Sequence, residues 1–358
     1  MTFCQTQDIA PTSIDLVGIH APDLQPLQLQ QTDNASTVPR DWNALITAKT
    51  GISAVFNFSI IESAVTRPLI PPVAFVDNLF LRHPTKFRVC LNIEELANIS
   101  FIPALIENDF HSTISYNCGP GSLLINYAMR YCTANDHAED YNGKFGSEGH
   151  VNQEVADRFL STRDYLQTPP TLSMAREMFG DHDAQQLIDE CMYLNMSYAD
   201  IIATTTRITA QNILRQYLRL LEHFFGPDKK VDELFICGPS ARNSNIIDYL
   251  EAELPESVIT KPLDDIGIPG EANDAVCCAH LALEAVLGQA TQPRSRPASP
   301  TSAHSNGAIV KGKIVRGTQW EGLLVQIHQF SEGKSLQVTK DVRVAGNLET
   351  AIKTLGLR

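Results

Sequence analysis

No pair of the eight cysteines (Cys4, Cys90, Cys118, Cys132, Cys191, Cys237, Cys277, Cys278) is spaced Cys-x-x-Cys, so neither a zinc site nor a disulfide framework is signalled. Positive charge is also short. There are 28 Lys and Arg against 41 Asp and Glu, a formal net charge of −13, and no clustered basic face emerges along the chain. Nucleic acid is therefore excluded as a partner, because its phosphates would be repelled. Residues 1–15 carry Asp8 and Asp15, no Lys or Arg, and no apolar core of signal-peptide length. No later run reaches the roughly 20 apolar residues that span a bilayer, so no membrane partner is expected and the expected location is cytoplasmic.

What is present is the composition of a globular protein: 358 residues, 43% hydrophobic and 19% charged, enough for two domains with sizeable cores. Ser13 to Ile19 reads as a buried strand, Ala44 to Thr50 as a helix stopped by Gly51, and Ile52 to Ile61 as an apolar strand. Ser197-Tyr198-Ala199-Asp200 is a capping box opening a long helix from Tyr198 to about Phe225. Glu233 to Cys237 reads as a strand turning through Gly238-Pro239-Ser240-Ala241-Arg242-Asn243 into a helix over Ser244 to Leu254. A further helix continues over Val276 to Leu287. Residues 289–306, rich in Pro, Ser, Thr and Ala, read as a flexible linker. Beyond it, Ala308 to Val315, Leu323 to Phe330 and Leu336 to Val344 read as three short strands. From residue 291 the chain is formally +6 and before it −19, which predicts electrostatic docking of the tail on the acidic body.

The stretch from Leu91 to Ser122 carries the chemistry. Two apolar runs flank Glu94-Glu95 and read as strands meeting at a tight turn, and Gly119-Pro120-Gly121 reads as a bend opening the apolar run Leu123 to Met129. A hairpin followed by a glycine-cornered helix start is phosphate-binding geometry, since unpaired backbone N–H groups are expected to face outward there.

These residues resemble the anhydro-N-acetylmuramic acid kinase family, sugar kinases whose members carry Asn-Ile-Gly-Gly and then Asp-Thr-Gly-Pro-Gly-Asn. Here the two glycines are Glu94 and Glu95, the aspartate is Asn117 and the last asparagine is Ser122. The similarity extends over roughly residues 13 to 345. It includes Asp140 to Asn152, Pro169 to Phe179, the turn after Cys237 and Leu263 to Ala275, where Asn273-Asp274 stands for a Lys-Glu pair. Pro72 to Leu81 and His83 to Arg88 resemble fungal members.

The resemblance implies an α/β chain with the two-domain actin-like ATPase (ribonuclease H-like) fold. Residues 1–89 would be an incomplete N-terminal domain, 90–288 the nucleotide-binding domain, 289–306 the linker and 307–358 an appended β-rich segment. It implies ATP and Mg²⁺ as cofactors, an amino sugar as the small-molecule partner, and a homodimer as one assembly. By the same resemblance, Asn92, Glu94, Glu95, Gly119, Gly121, Gly238, Pro239, Ser240 and Asn243 would border the nucleotide. His20, Glu62 and Arg176 would meet the sugar, and Asn117 would occupy the position of the catalytic base. The family's first phosphate hairpin has no counterpart before Ser13, which reads as an N-terminally truncated, degenerate member. Three readings follow: a kinase scaffold that has lost phosphoryl transfer, an active amino-sugar kinase with Glu62 as substitute base, and a non-catalytic binding protein.

Overall fold

The computed structural model describes residues 2–19, 42–58, 80–105, 113–163, 179–291, 312–330 and 343–344. His20, Glu62, Arg176, residues 292–306 of the expected linker, most of Pro72 to Leu81 and most of the strand expected at Leu336 to Val344 lie outside the described residues, while residues 289–291, expected to open the linker, instead end a helix. The chain separates into two compact units, one of residues 1–66 and 275–340, the other of 67–274 and 341–358.

In chain order the elements are α1 (Thr2–Thr6), β1 (Leu16–Ile19), α2 (Trp42–Thr50), β2 (Ser53–Phe56), β3 (Arg88–Ile93), β4 (Leu96–Ile102), β5 (Ile114–Pro120), α3 (Leu123–Cys132), α4 (Gln153–Thr162), α5 (Asp181–Tyr193), α6 (Tyr198–Phe225), β6 (Glu233–Cys237), α7 (Ser244–Glu253), β7 (Ile259–Pro262), α8 (Asn273–Thr291), β8 (Lys313–Val315), α9 (Trp320–Phe330) and β9 (Arg343–Val344). Among the described residues no helix is long and apolar enough to cross a membrane.

The first unit holds a three-stranded sheet in the order β1-β2-β8, with β1 and β2 parallel and β8 antiparallel to β2. The parallel pair needs a crossover, which α2 supplies. A Cβ on Gly18 of β1 would lie 2.1 Å from the carbonyl oxygen of Cys278 in α8, so only glycine lets strand and helix touch backbone to backbone there. The stretch Leu323 to Phe330, expected as a strand, is instead the helix α9. Trp320, Leu323 and Ile327 are its buried residues and recur at helical spacing. A short apolar run is ambiguous between the two periods, and the tryptophan preceding it settles the choice.

The second unit is a six-stranded sheet in the order β7-β6-β3-β4-β5-β9. β3, β4 and β5 form an antiparallel meander, β6 runs parallel to β3, and β7 parallel to β6. Three antiparallel strands, with two later parallel strands added on the far side of the first, is the sheet of a ribonuclease H-like half of the actin-like fold. Alternation along the strands divides its faces. Val89, Leu91, Ile93, Ile99, Phe101, Tyr116, Leu234 and Ile236 join one core with α3, α4, α5, α6 and α7. The opposite face places Cys90, Ile102, Phe235 and Cys237 beside Leu81 and Leu263. It also carries the buried polar residues Asn92, Asn98, Ser100 and Ser115.

The long helix α6 opens on a complete capping box, with Ser197 and Asp200 each accepting from the other's backbone N–H. All the cysteines except Cys4 are buried, and every one is a free thiol. Burial pushes the Cys132 thiol up to about 11 and Cys191 up to about 12, so neither is a thiolate at neutral pH.

Candidate functional site

The β3–β4 hairpin ends in the tip Glu94-Glu95, and the corner between β5 and α3 closes on it. Ser122 donates both its backbone N–H (2.7 Å) and its Oγ (3.0 Å) to the Glu94 carbonyl. The N–H groups of Gly121 and Leu123 donate to the Glu95 carbonyl at 2.8 and 3.3 Å. The donors expected to face outward toward a phosphate are thus occupied by the hairpin's own carbonyls. Polar backbone groups close partnerships wherever geometry allows, and here the tip lies within reach. A Cβ on Gly121 would sit 2.3 Å from the Glu94 oxygen, which explains the glycine.

The corner is held from behind by α6. The β4–β5 register shifts between Ala97 and Asn98, which pair with Gly119 and Asn117, so Cys118 is the extra residue of a bulge. Its carbonyl accepts from Asn212 Nδ2 at 2.9 Å, and the Gly121 carbonyl accepts from Thr209 Oγ1 at 2.9 Å. From Asn212 the contacts continue down the helix, with Gln216 Nε2 donating to Asn212 Oδ1 at 3.4 Å and Arg219 donating to Gln216 Oε1.

Asn117 lies on the bulged strand facing the polar side of the sheet. Its Oδ1 accepts from Asn98 Nδ2 at 3.3 Å. The same amide reaches Ser115 Oγ (3.1 Å) and the Tyr116 carbonyl (3.0 Å). Asn117 is thereby integrated into a hydrogen-bonded cluster as an acceptor. A carboxamide cannot take a proton at neutral pH.

Beside it lies an acid pair. Asn92 Nδ2 donates to Glu94 Oε1 at 3.3 Å. Burial, then a hydrogen bond to Asp274 and charge repulsion from it, raise the Glu94 carboxyl to about 8. Asn273 Nδ2 donates to Cys237 Sγ (3.3 Å), and that thiol to Asn92 Oδ1 (3.6 Å), fastening the start of α8 to the ends of β6 and β3. Among the described residues no three His, Cys, Asp or Glu side chains converge as a metal site.

The turn after β6 forms the wall of a cavity of about 230 Å³. Gly238 has φ +93, and a Cβ there would lie 2.5 Å from Asn92 Oδ1 and 2.6 Å from the Ile93 carbonyl. The turn is therefore pressed onto the end of β3, where glycine alone fits. Pro239, Ser240 and Asn243 line the cavity together with Asn126 of α3, Tyr141 and Asn142. Arg242 and Glu271 pair across its rim at 3.1 Å. Asp140, also in the lining, turns both carboxylate oxygens back to the N–H groups of Phe145 (2.7 Å) and Gly146 (3.0 Å). Pro239 and Ser240 do not fill the space beside their turn.

The fold thus gathers Asn92, Glu94, Glu95, Asn117, Gly119 and Gly121 at one sheet end, with Gly238, Pro239, Ser240 and Asn243 next to them. Sequence reasoning missed Asn98, Asn126, Thr209, Asn212 and the pairing of Glu94 with Asp274. The replacement of a Lys-Glu pair by Asn273-Asp274 was the one available signal for the last.

The model of the anhydro-N-acetylmuramic acid kinase family matches residues 1–311. The chain belongs to that family. Its relatives include the anhydro-N-acetylmuramic acid kinase of Caldanaerobacter subterraneus, 28% identical over 311 residues, covering 86% of this chain and 75% of that one. The enzyme of the same name from Crocosphaera subtropica is 26% identical, with 76% and 69% covered. Among solved structures, component A of the (R)-2-hydroxyglutaryl-CoA dehydratase of Acidaminococcus fermentans overlaps at a TM-score of 0.34 and 12% identity, covering 64% of this chain and 68% of that one. A ROK family glucokinase from Streptomyces griseus, in complex with glucose and AMPPNP, overlaps at 0.27 and 14%, covering 63% and 71%.

Proposed function

We propose that this family member keeps the nucleoside end of a kinase nucleotide site and has lost phosphoryl transfer to the amino sugar. The observation that carries the reading is Asn117. A sugar kinase must remove a proton from the attacking hydroxyl while positioning it in line with the γ-phosphate, and losing the general base costs about 10²- to 10⁴-fold. At the base position this chain holds a carboxamide bound as an acceptor by Asn98.

The phosphate end supports the same reading. A triphosphate needs open donors and positive charge, whereas Gly121, Ser122 and Leu123 already donate to the hairpin tip, and the tip itself carries Glu94, with Asp274 against it, and Glu95. The residues present do not fit ATP there, so no transfer step is derived through it. The pocket beside Ser240 and Asn243 fits a nucleoside.

The test is incubation of the full chain with anhydro-N-acetylmuramic acid, ATP and Mg²⁺, followed by mass spectrometry of the sugar. The expected result is no phosphorylated product above the protein-free control. Product formed by the unaltered chain overturns the proposal, and its disappearance in Glu62→Gln would then assign the base to Glu62.

A further inference from the structure

The family match ends at residue 311, and the chain beyond it supplies a strand to the first unit. β2 pairs with β1 along one edge, and β8 runs antiparallel along the other, with Val315 opposite Ala54, Ile314 opposite Val55 and Lys313 opposite Phe56. All four residues of β2 are buried. Without β8 this edge would present a bare row of backbone groups, the part of a sheet that recruits another strand.

The segment from Gly312 to Phe330 meets the edge through shape as well as backbone. Gly312 has φ +99, and a Cβ there would lie 2.8 Å from Val55 Cγ1 and 3.1 Å from the Phe58 ring. After the strand, the Gly317 N–H donates to Ser53 Oγ at 3.0 Å and the Thr318 N–H to the Gly51 carbonyl at 2.8 Å. A Cβ on Gly317 would lie 2.0 Å from that same Gly51 oxygen, so a side chain has no place there. The helix α9 then buries Trp320 (4% exposed), Leu323 and Ile327 at helical spacing. Strand addition supplies the backbone bonds, while the glycines and the tryptophan supply selectivity, which is how sheet edges recognise extended peptides. The segment is joined to α8 through a stretch rich in Pro, Ser, Thr and Ala, the composition of a tether.

We propose that the β2 edge and the Gly51 turn form a peptide-binding site whose occupant is the chain's own Gly312 to Phe330, held by contacts alone and exchangeable for a free peptide. The pattern it reads is Ile-Val-x-Gly-Thr-x-Trp at the head of an amphipathic helix, as in Ile314 to Trp320.

The test uses the full chain with a protease site inserted between Ser299 and Pro300, cleaved after folding. β9 pairs with β5 and can hold the cut fragment by itself, so retention of the fragment does not read the site. Hydrogen exchange at Ala54 to Phe56 and uptake of a fluorescent peptide spanning Gly312 to Phe330 do. Protection at Ala54 to Phe56 is expected to survive the cut. Excess peptide is expected to enter the cut chain and not the uncut one, where the tether keeps the local concentration at about a millimolar. Peptides carrying Gly317→Ala or Trp320→Ala are expected to bind at least about tenfold more weakly. Loss of protection on cleavage, failure of the cut chain to take up the peptide, or equal uptake of all three peptides would each overturn the proposal.

Discussion

Ser122 places both its backbone N–H and its hydroxyl on one oxygen, the carbonyl of Glu94, at 2.7 and 3.0 Å. That double donation joins the start of α3 to a hairpin tip far away in sequence. It turns what would be an open anion cradle into a closed backbone junction.

The junction tolerates no side chain at Gly121. Gly121→Ala would bring a Cβ to 2.3 Å from the Glu94 oxygen and 3.1 Å from the Leu96 carbonyl carbon, both backbone atoms. The expected cost is about 1–3 kcal/mol, the usual range for overpacking. Urea denaturation measures it, and an unchanged midpoint would mean that the corner relaxes freely.

Glu94 makes stability fall as pH rises. Its carboxyl is raised from 4.5 to about 8 by burial and then by Asp274, so between those values the folded chain keeps a proton that the unfolded chain has released. This contribution is complete below about pH 4.5 and is lost progressively up to about pH 8. Glu94→Gln removes the titration. Denaturation midpoints measured across this interval should slope less steeply in the variant than in the parent.

Glu233 works in the opposite direction. Burial alone would raise its carboxyl, but hydrogen bonds from Lys261 (2.8 Å), Lys86 (2.5 Å) and Arg88 (2.7 Å) overcome this and hold it down at about 2. Its contribution is present above the ordinary carboxylate value of 4.5 and is lost as pH falls toward 2. Glu233→Gln leaves three cations around a side chain that is 1% exposed, and should cost about 3–5 kcal/mol. Lys86→Met, whose charge is 41% exposed, should cost no more than about 1 kcal/mol. Equal losses in the two variants would show that the carboxylate is not the centre of the cluster.

Restoring chemistry requires more than a base. Asn117→Asp supplies a carboxylate, yet the tip still presents Glu94 and Glu95. The triple variant with Glu94→Gly and Glu95→Gly is expected to form more phosphorylated sugar than Asn117→Asp alone, as read by mass spectrometry. Equal yields would remove the tip from the account.

Much of this was legible along the chain because it is local. The Ser197–Asp200 capping box, the tight turn at Glu94-Glu95 and the glycine after Cys237 each announce themselves within a few residues, and each folds as its spacing predicts. Contacts between distant segments were not legible. Nothing near Gly121 or Ser122 shows that their donors are claimed by residues 94 and 95, or that Asp274 will lie against Glu94. The strand β7 escaped notice because Ile259–Pro262 alternates poorly and ends in proline. The helix α9 was misread because Leu323 begins a run too short to reveal its period.

The row Thr209, Asn212, Gln216 and Arg219 has a consequence for how damage spreads in this molecule. Asn212 and Gln216 are nearly sealed from solvent, and each amide in the row depends on its neighbour for a partner. A hydrophobic replacement at Gln216, two helical turns from the β5–α3 bend, would strand Asn212 and so loosen its grip on the Cys118 carbonyl. Variants that weaken ligand binding should therefore turn up well down this helix, at sites no ligand could touch.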